Sequence, residues 1–217
     1  MMPLTAHTPK PLLEVKGKSL ICHHLNRLAE QGFKDIVINV AYLGQQIIDQ
    51  VGSGTELGLN IRYSDESNIG VLETAGGIRN ALSLIRHEQF ICLNADIWTD
   101  FNFMSLLNDT KTDKTHKRTI VLTANPQHNP DGDFCLDQDS MLIKNPDGTA
   151  KTSYTFSGIG LYSKNDFNNL SVKKQALAPI LRTWAAQNEL YGIVHNGIWY
   201  DIGTPERLDE INQLRIL

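Results

Sequence analysis

Four short segments hold residue types that could do phosphate chemistry. In Thr8-Pro9-Lys10-Pro11-Leu12, two prolines flank one lysine. Proline restricts its own φ and biases the residue before it toward extended backbone, so less entropy is lost on ordering Lys10. A lysine held this way is a ready phosphate contact; taken alone it reads more often as a solvated loop lysine. Asn94-Ala95-Asp96 follows the apolar run Phe90–Leu93. In an open parallel sheet, ligands bind beyond the carboxyl ends of strands. An aspartate there can hold Mg²⁺ through one oxygen while phosphates supply others; its bland reading is a turn or cap residue. In Trp199-Tyr200-Asp201-Ile202-Gly203-Thr204 the aspartate sits between apolar neighbours. An unpaired carboxylate in that setting is costly, so a metal or a cation must satisfy it, or a salt bridge to the last helix does. In Leu72-Glu73-Thr74-Ala75-Gly76-Gly77 paired glycines open a helix. They would let a ligand come close to the backbone, at a helix end that favours negative charge.

Other reactive residue types form weaker patterns. The seven histidines show no metal-binding spacing, and His23 and His24, adjacent on a helix, cannot share a ligand face. All seven read as structural or exposed. Ser157-Gly158 lacks the glycine pattern of a nucleophile elbow. Asp109 and Asp113 read as a solvated loop.

The elements that must position these residues alternate in type. Helical spacing over Ser19–Gln31 stops at Gly32, and Asp35–Val40 reads as a buried strand. A helix over Leu43–Val51 closes at Gly52. A strand follows at Asn60–Ser64, a helix over Thr74–Ile85 and a buried strand at Phe90–Leu93. This alternation argues for βαβ units and a mainly parallel sheet. The second half reads differently. It predicts a strand at Thr119–Ala124, a hairpin over Asp133–Lys144 turning at Gln138-Asp139-Ser140, a polar loop at Asn145–Lys151 and a strand at Tyr154–Tyr162. A helix over Gln175–Gln187 and a strand or strand pair over Gly192–Ile202 follow. Thr204 caps the last helix, with Pro205 in its first turn. With no linker or repeat, residues 1–217 read as a single domain.

Composition bounds the ligand and the compartment. The net charge of −4 implies no general nucleic-acid affinity, so a phosphate ligand has to be held locally. Cys22, Cys92 and Cys135 are scattered and odd in number, which suits a reducing compartment without a structural zinc. No apolar run is long enough to span a membrane, and residues 1–18 lack the apolar core of a signal peptide. The cytoplasm is the expected location. Monomer and homo-oligomer stay undecided.

Taken together, the segments resemble the sugar-1-phosphate nucleotidyltransferase family. The order Pro-Leu-Thr-x-x-Thr-Pro-Lys-Pro-Leu, Glu-Thr-Ala-Gly-Gly, Asn-Ala-Asp, Phe-Ser-Gly-Ile and Tyr-Asp-Ile-Gly-Thr-Pro runs nearly the length of the chain. Ile38–Ile47 and Asn94–Asp100 look most like the small bacterial uridylyltransferases that act on N-acetylmuramate 1-phosphate and serve recycling of cell-wall sugars. The resemblance implies a Rossmann-like, doubly wound α/β fold. It also implies transfer of a nucleotidyl group, expected to be UMP from UTP, to a sugar 1-phosphate with release of pyrophosphate. By the same resemblance Asp96 and Asp201 would hold Mg²⁺ and Lys10 would neutralise developing charge. Thr74, Gly76 and Gly77 would lie at the base, and Asn94, Asn125, Ser157 and Gly158 on the substrate side.

The alternatives are a thymidylyl- or guanylyltransferase using glucose or mannose 1-phosphate, and a non-catalytic sugar-nucleotide-binding homologue. Two departures accompany the resemblance. A Glu-Lys-Pro motif common in the family is absent, the nearest string being Lys144-Asn145-Pro146. The family also opens with a buried strand and a glycine-rich loop ending in Arg-Met, and Met1 lines up with that methionine. The expectation is a chain lacking that strand and loop, and therefore inactive, or nearly so.

Overall fold

The structure, a computed structural model, describes residues 1, 3–108, 118–137, 140–145 and 152–214. The N-terminal arm makes 3₁₀ turns at Leu4–Ala6 and Lys10–Leu12, with extended Pro9 leading into the second. A small ribbon, β1 (Glu14–Val15) and β2 (Lys18–Ser19), turns at Lys16 and Gly17, both with positive φ. The helix α1 (Leu20–Glu30) then buries Leu20, Ile21, His24, Leu25 and Leu28 on one face. Gly32, at φ +87°, ends it in the left-handed conformation that glycine adopts without penalty. Next come β3 (Asp35–Val40), α2 (Gly44–Val51) and β4 (Asn60–Asp65), with β3 and β4 paired in parallel along their length. The chain continues through α3 (Glu73–Ala81), β5 (Gln89–Leu93), β6 (Ile97–Thr99), α4 (Met104–Asn108), β7 (Arg118–Thr123), β8 (Phe134–Leu136) and β9 (Ile143–Lys144). It closes with β10 (Ser153–Ser163), α5 (Ala178–Ala186), β11 (Leu190–Val194), β12 (Trp199–Asp201) and α6 (Pro205–Gln213).

The main sheet runs in the order β11-β7-β10-β8-β9, with β5 also on β10. β11 and β7 are parallel; β10 runs antiparallel to β5, β7 and β8. Successive residues of β7 point to opposite faces. Ile120 and Leu122 join Ala75, Ile78, Leu181 and Trp184 under α3 and α5. Val121 joins Leu28, Phe101, Phe103 and Ile159 on the α1 side. The sheet is therefore covered on both faces, as in a doubly wound, Rossmann-like α/β fold. No helix among the described residues is long and apolar enough to cross a membrane.

Three expectations need revision. β3 and β5 read as buried strands, yet Val40 is the only buried residue of β3, and β5 is half-buried throughout. The reason is partnership: β3 is hydrogen-bonded to β4 alone and β5 to β10 alone, so each keeps an open edge among the described residues. The fifth helix begins at Ala178 rather than Gln175, because the Gln175 backbone is engaged with residues Leu72–Gly76. The stretch Gly192–Ile202 resolves into two separate strands: β11 on the main sheet and β12 on β6. Residues 138–139 of the expected hairpin turn, residues 146–151 of the polar loop, and Asp109 and Asp113 lie outside the described residues.

Candidate active site

Lys10, Asp96 and Asp201 come together from three distant parts of the chain. Lys10 Nζ lies 2.5 Å from Asp96 Oδ2, both side chains about one-third exposed. Pro9 is extended as expected, but Lys10 itself opens a 3₁₀ turn rather than taking the extended backbone that a following proline favours; the Leu12 and Leu13 N–H groups close that turn on the Pro9 and Lys10 carbonyls. Asp96 lies in the turn between β5 and β6, and Asp201 is the last residue of β12. The antiparallel β6–β12 ribbon sets Asp201 opposite Ile97. The Ile202 N–H then donates to the Asp96 carbonyl at 2.9 Å. Two acidic residues 105 positions apart in sequence are thus backbone neighbours.

Each carboxylate already faces a cation. Asp201 Oδ2 accepts from Arg207 Nη1 at 2.8 Å and lies 3.3 Å from His128 Nε2. Arg207 is on α6, whose N-cap Thr204 accepts the Arg207 backbone N–H as a capping residue should. The sequence reading missed Arg207 and placed His128 among the structural or exposed histidines. The helix start at Thr204 gave a usable sign, since it turns the Arg207 side chain back over Gly203 toward Asp201. A Cβ at Gly203 would collide with that guanidinium.

Behind Asp96, His24 of α1 is buried, with Nε2 lacking a hydrogen-bond partner among the described residues. Burial lowers its pKa to about 4, against opposing pulls from a hydrogen bond to the Ile97 backbone and from the Asp96 charge.

Several residues expected at the ligand are occupied by the protein itself. Gly76 and Gly77 lie inside α3 and are buried. A Cβ on Gly76 would run into the Lys173 carbonyl; one on Gly77 would sit 2.7 Å from Asn39 Nδ2 and 2.8 Å from Glu66 Oε1. The space over both glycines is filled by chain, not left for a base. The first turn of α3 is likewise engaged: the Ala75 and Gly76 N–H groups both donate to the Gln175 carbonyl. Thr74 is half-buried in that turn.

Ser157 is buried and its hydroxyl donates to the Val121 carbonyl at 2.8 Å, which ties it into the sheet. Gly158, at φ +81°, forms the irregularity between Phe156 and Gly160 where the β10–β7 register shifts. Its carbonyl accepts the Asn94 N–H at 2.9 Å, and a Cβ there would meet the Asn94 side chain at 2.8 Å. Gly158 therefore acts by positioning Asn94. Asn125 is spent on its own loop, donating to the Pro130 carbonyl and Ser153 Oγ and accepting from Thr155 Oγ1.

Beside Lys10 opens a cavity of about 650 Å³, lined by Met1, Pro9, Pro11, Asn39, Ala41, Tyr42 and Val71 among others. It lies past the carboxyl end of β3, where open α/β sheets bind ligands, and its volume suits a small molecule. The resemblance implies Mg²⁺. Among the described residues no three His, Cys, Asp or Glu side chains form a metal cage. Two carboxylates on adjoining backbone segments fit a hard cation that takes most of its shell from phosphate and water. They do not fit a resident structural ion.

The chain is 45% identical over 216 residues to N-acetylmuramate alpha-1-phosphate uridylyltransferase of Neisseria meningitidis, covering 99% of this chain and 92% of that protein. It is 28% identical to mannose-1-phosphate guanylyltransferase catalytic subunit beta of Drosophila pseudoobscura, covering 95% of this chain but 56% of the relative. Among solved structures, a Bacillus anthracis protein assigned as a glucose-1-phosphate thymidylyltransferase, in complex with sucrose, superposes with a TM-score of 0.81. Its identity is 20%, and the match covers 98% of this chain and 88% of that one. At that identity the likeness speaks to fold alone. The profile described as nucleotidyl transferase matches residues 1–215, and the chain belongs to that family.

Proposed function

We propose that the protein transfers UMP from UTP to N-acetylmuramate 1-phosphate, releasing pyrophosphate, as a cytoplasmic single-domain enzyme that returns a cell-wall sugar to use. The observation that carries this is the meeting of Lys10, Asp96 and Asp201 beside the cleft, joined by the Lys10–Asp96 bridge and the Ile202–Asp96 backbone bond. The 45% identity to the Neisseria meningitidis uridylyltransferase supports the choice of nucleotide and sugar.

The chemistry asks little covalent work of the protein. A phosphate oxygen of the sugar phosphate attacks the α-phosphorus of UTP in line, a new P–O bond forms, and the bond to the β-phosphate oxygen breaks. The protein's contribution is position and charge. Asp96 and Asp201 would hold Mg²⁺, which when bound supplies positive charge to the phosphate oxygens. Lys10, fixed between its prolines, neutralises charge on the phosphates. Asn94, held by Gly158, presents an amide to the substrate. Val71 and Tyr42 offer apolar surface to the base.

The test is pyrophosphate release with each of UTP, dTTP, GTP and ATP against N-acetylmuramate 1-phosphate, with calorimetric titration of the same triphosphates. UTP is expected to be preferred in both. Preference for GTP or dTTP moves the protein to another branch of the family.

A further inference from the structure

Lys10 pairs with Asp96, whose backbone is bonded to the segment after Asp201, and Asp201 pairs with Arg207, which has the His128 ring beside it. Lys10 and the two carboxylates answer the phosphates. Arg207 and His128 stand on the far side of Asp201, and nothing in the phosphate chemistry requires them.

Their geometry is that of a partly spent anion site. Arg207 Nη1 donates to Asp201 Oδ2 at 2.8 Å and lies 2.8 Å from His128 Nε2. Its Nε and Nη2 have no hydrogen-bond partner among the described residues, and the side chain is 23% exposed. A guanidinium whose remaining N–H groups lie in one plane is the side chain best shaped to take a carboxylate through two parallel hydrogen bonds. Bare Gly203 gives the guanidinium its room. His128 sits in the turn after Asn125, on a loop whose fold is pinned by the Asn125 and Asn129 amides.

The reading of the function gives the acceptor two anions: its phosphate and the carboxylate of its lactyl ether. Resting on that reading, we propose that Arg207, with His128 beside it, binds the lactyl carboxylate. It thereby separates N-acetylmuramate 1-phosphate from N-acetylglucosamine 1-phosphate, which has the same ring and phosphate and no ether acid. The competing role is a purely structural one, in which Arg207 only neutralises Asp201. That role would affect both sugars alike.

The experiment compares wild type, Arg207→Gln and Arg207→Lys with both sugar phosphates at saturating UTP. In parallel it titrates the two UDP-sugars into each protein by calorimetry, which needs no turnover. Wild type is expected to prefer the lactyl sugar. Arg207→Gln should raise KM for the lactyl sugar, and weaken binding of its UDP-sugar, by on the order of 10–100-fold relative to the N-acetylglucosamine pair. Arg207→Lys, keeping charge without the planar fork, should recover part of that ratio and covers the case in which the glutamine variant fails to fold. A wild-type preference kept intact in both variants, or an equal loss on both sugars, overturns the role of Arg207 alone. A wild type without preference for the lactyl sugar overturns the reading of the function, and this inference with it.

Discussion

β10 and β3 are both rich in apolar residues, and the structure treats them in opposite ways. From Ile159 to Ser163 every residue of β10 is buried, and the strand holds β5, β7 and β8. β3 reads DIVINV and holds one partner, with one buried residue. Local hydrophobicity therefore does not decide burial; the number of strands and helices that close around a segment does. The first region is a platform, the second an edge, and the proposed site lies where the N-terminal arm meets the turn after β5 through the Lys10–Asp96 ion pair.

The largest effect should come from breaking the platform. Ile120→Ala removes a fully buried side chain at the centre of the sheet. It should cost about 4 kcal/mol in urea unfolding, the range for cavity-forming core truncations. A loss below about 1 kcal/mol would mean the sheet repacks freely and the contrast with β3 is false.

At the seam, Asp96→Asn keeps size and removes charge. It should lower turnover by on the order of 10²–10³, with an unfolding midpoint close to that of wild type. Near-normal turnover in the presence of Mg²⁺ would remove Asp96 from the metal site.

His24 ties α1 to the strand behind that seam, and its effect depends on pH. Its folded pKa of about 4 lies below the ordinary value of 6.5, so folding favours the neutral ring. The stabilisation is full above pH 6.5, declines as pH falls, and is gone below about pH 4. Between pH 7 and pH 5 the wild type should lose about 2 kcal/mol through this group, and His24→Gln should lose none of that share. Equal pH slopes in the two proteins would show that the ring protonates freely in the fold.

The smallest effect belongs to the edge. Ile38→Ala on half-buried β3 should cost about 1 kcal/mol, well under the loss at Ile120. Equal losses would erase the distinction between the regions.

Much of the fold was legible in the sequence, because helix spacing and glycine stops are local. α1 ends before Gly32 and α2 before Gly52, both at positive φ. Thr204 caps α6 as read. Lys10, Asp96 and Asp201 could be singled out because their unusual neighbours, two prolines and two apolar runs, mark them locally. At the glycines and Ser157, sequence shows that a position needs a small or polar side chain, not whether ligand or protein fills the space. At Gly76 it is the Lys173 carbonyl, and at Ser157 the Val121 carbonyl. His128 was read as structural or exposed because its contact with Arg207 spans 79 residues, which no local pattern encodes; Arg207 was missed although the helix start at Thr204 pointed to it.

The engagement of Gln175 with α3 bears on how this chain can tolerate insertions. Residues 164–177 join β10 to α5 and look like a spacer whose length could drift. Gln175, however, donates to Leu72 and accepts from Ala75 and Gly76. One residue added or removed between Phe167 and Gln175 would pull that clasp out of register and drag the start of α3, and Val71 at the mouth of the cleft, with it. A change of length in this connection should therefore be poorly tolerated.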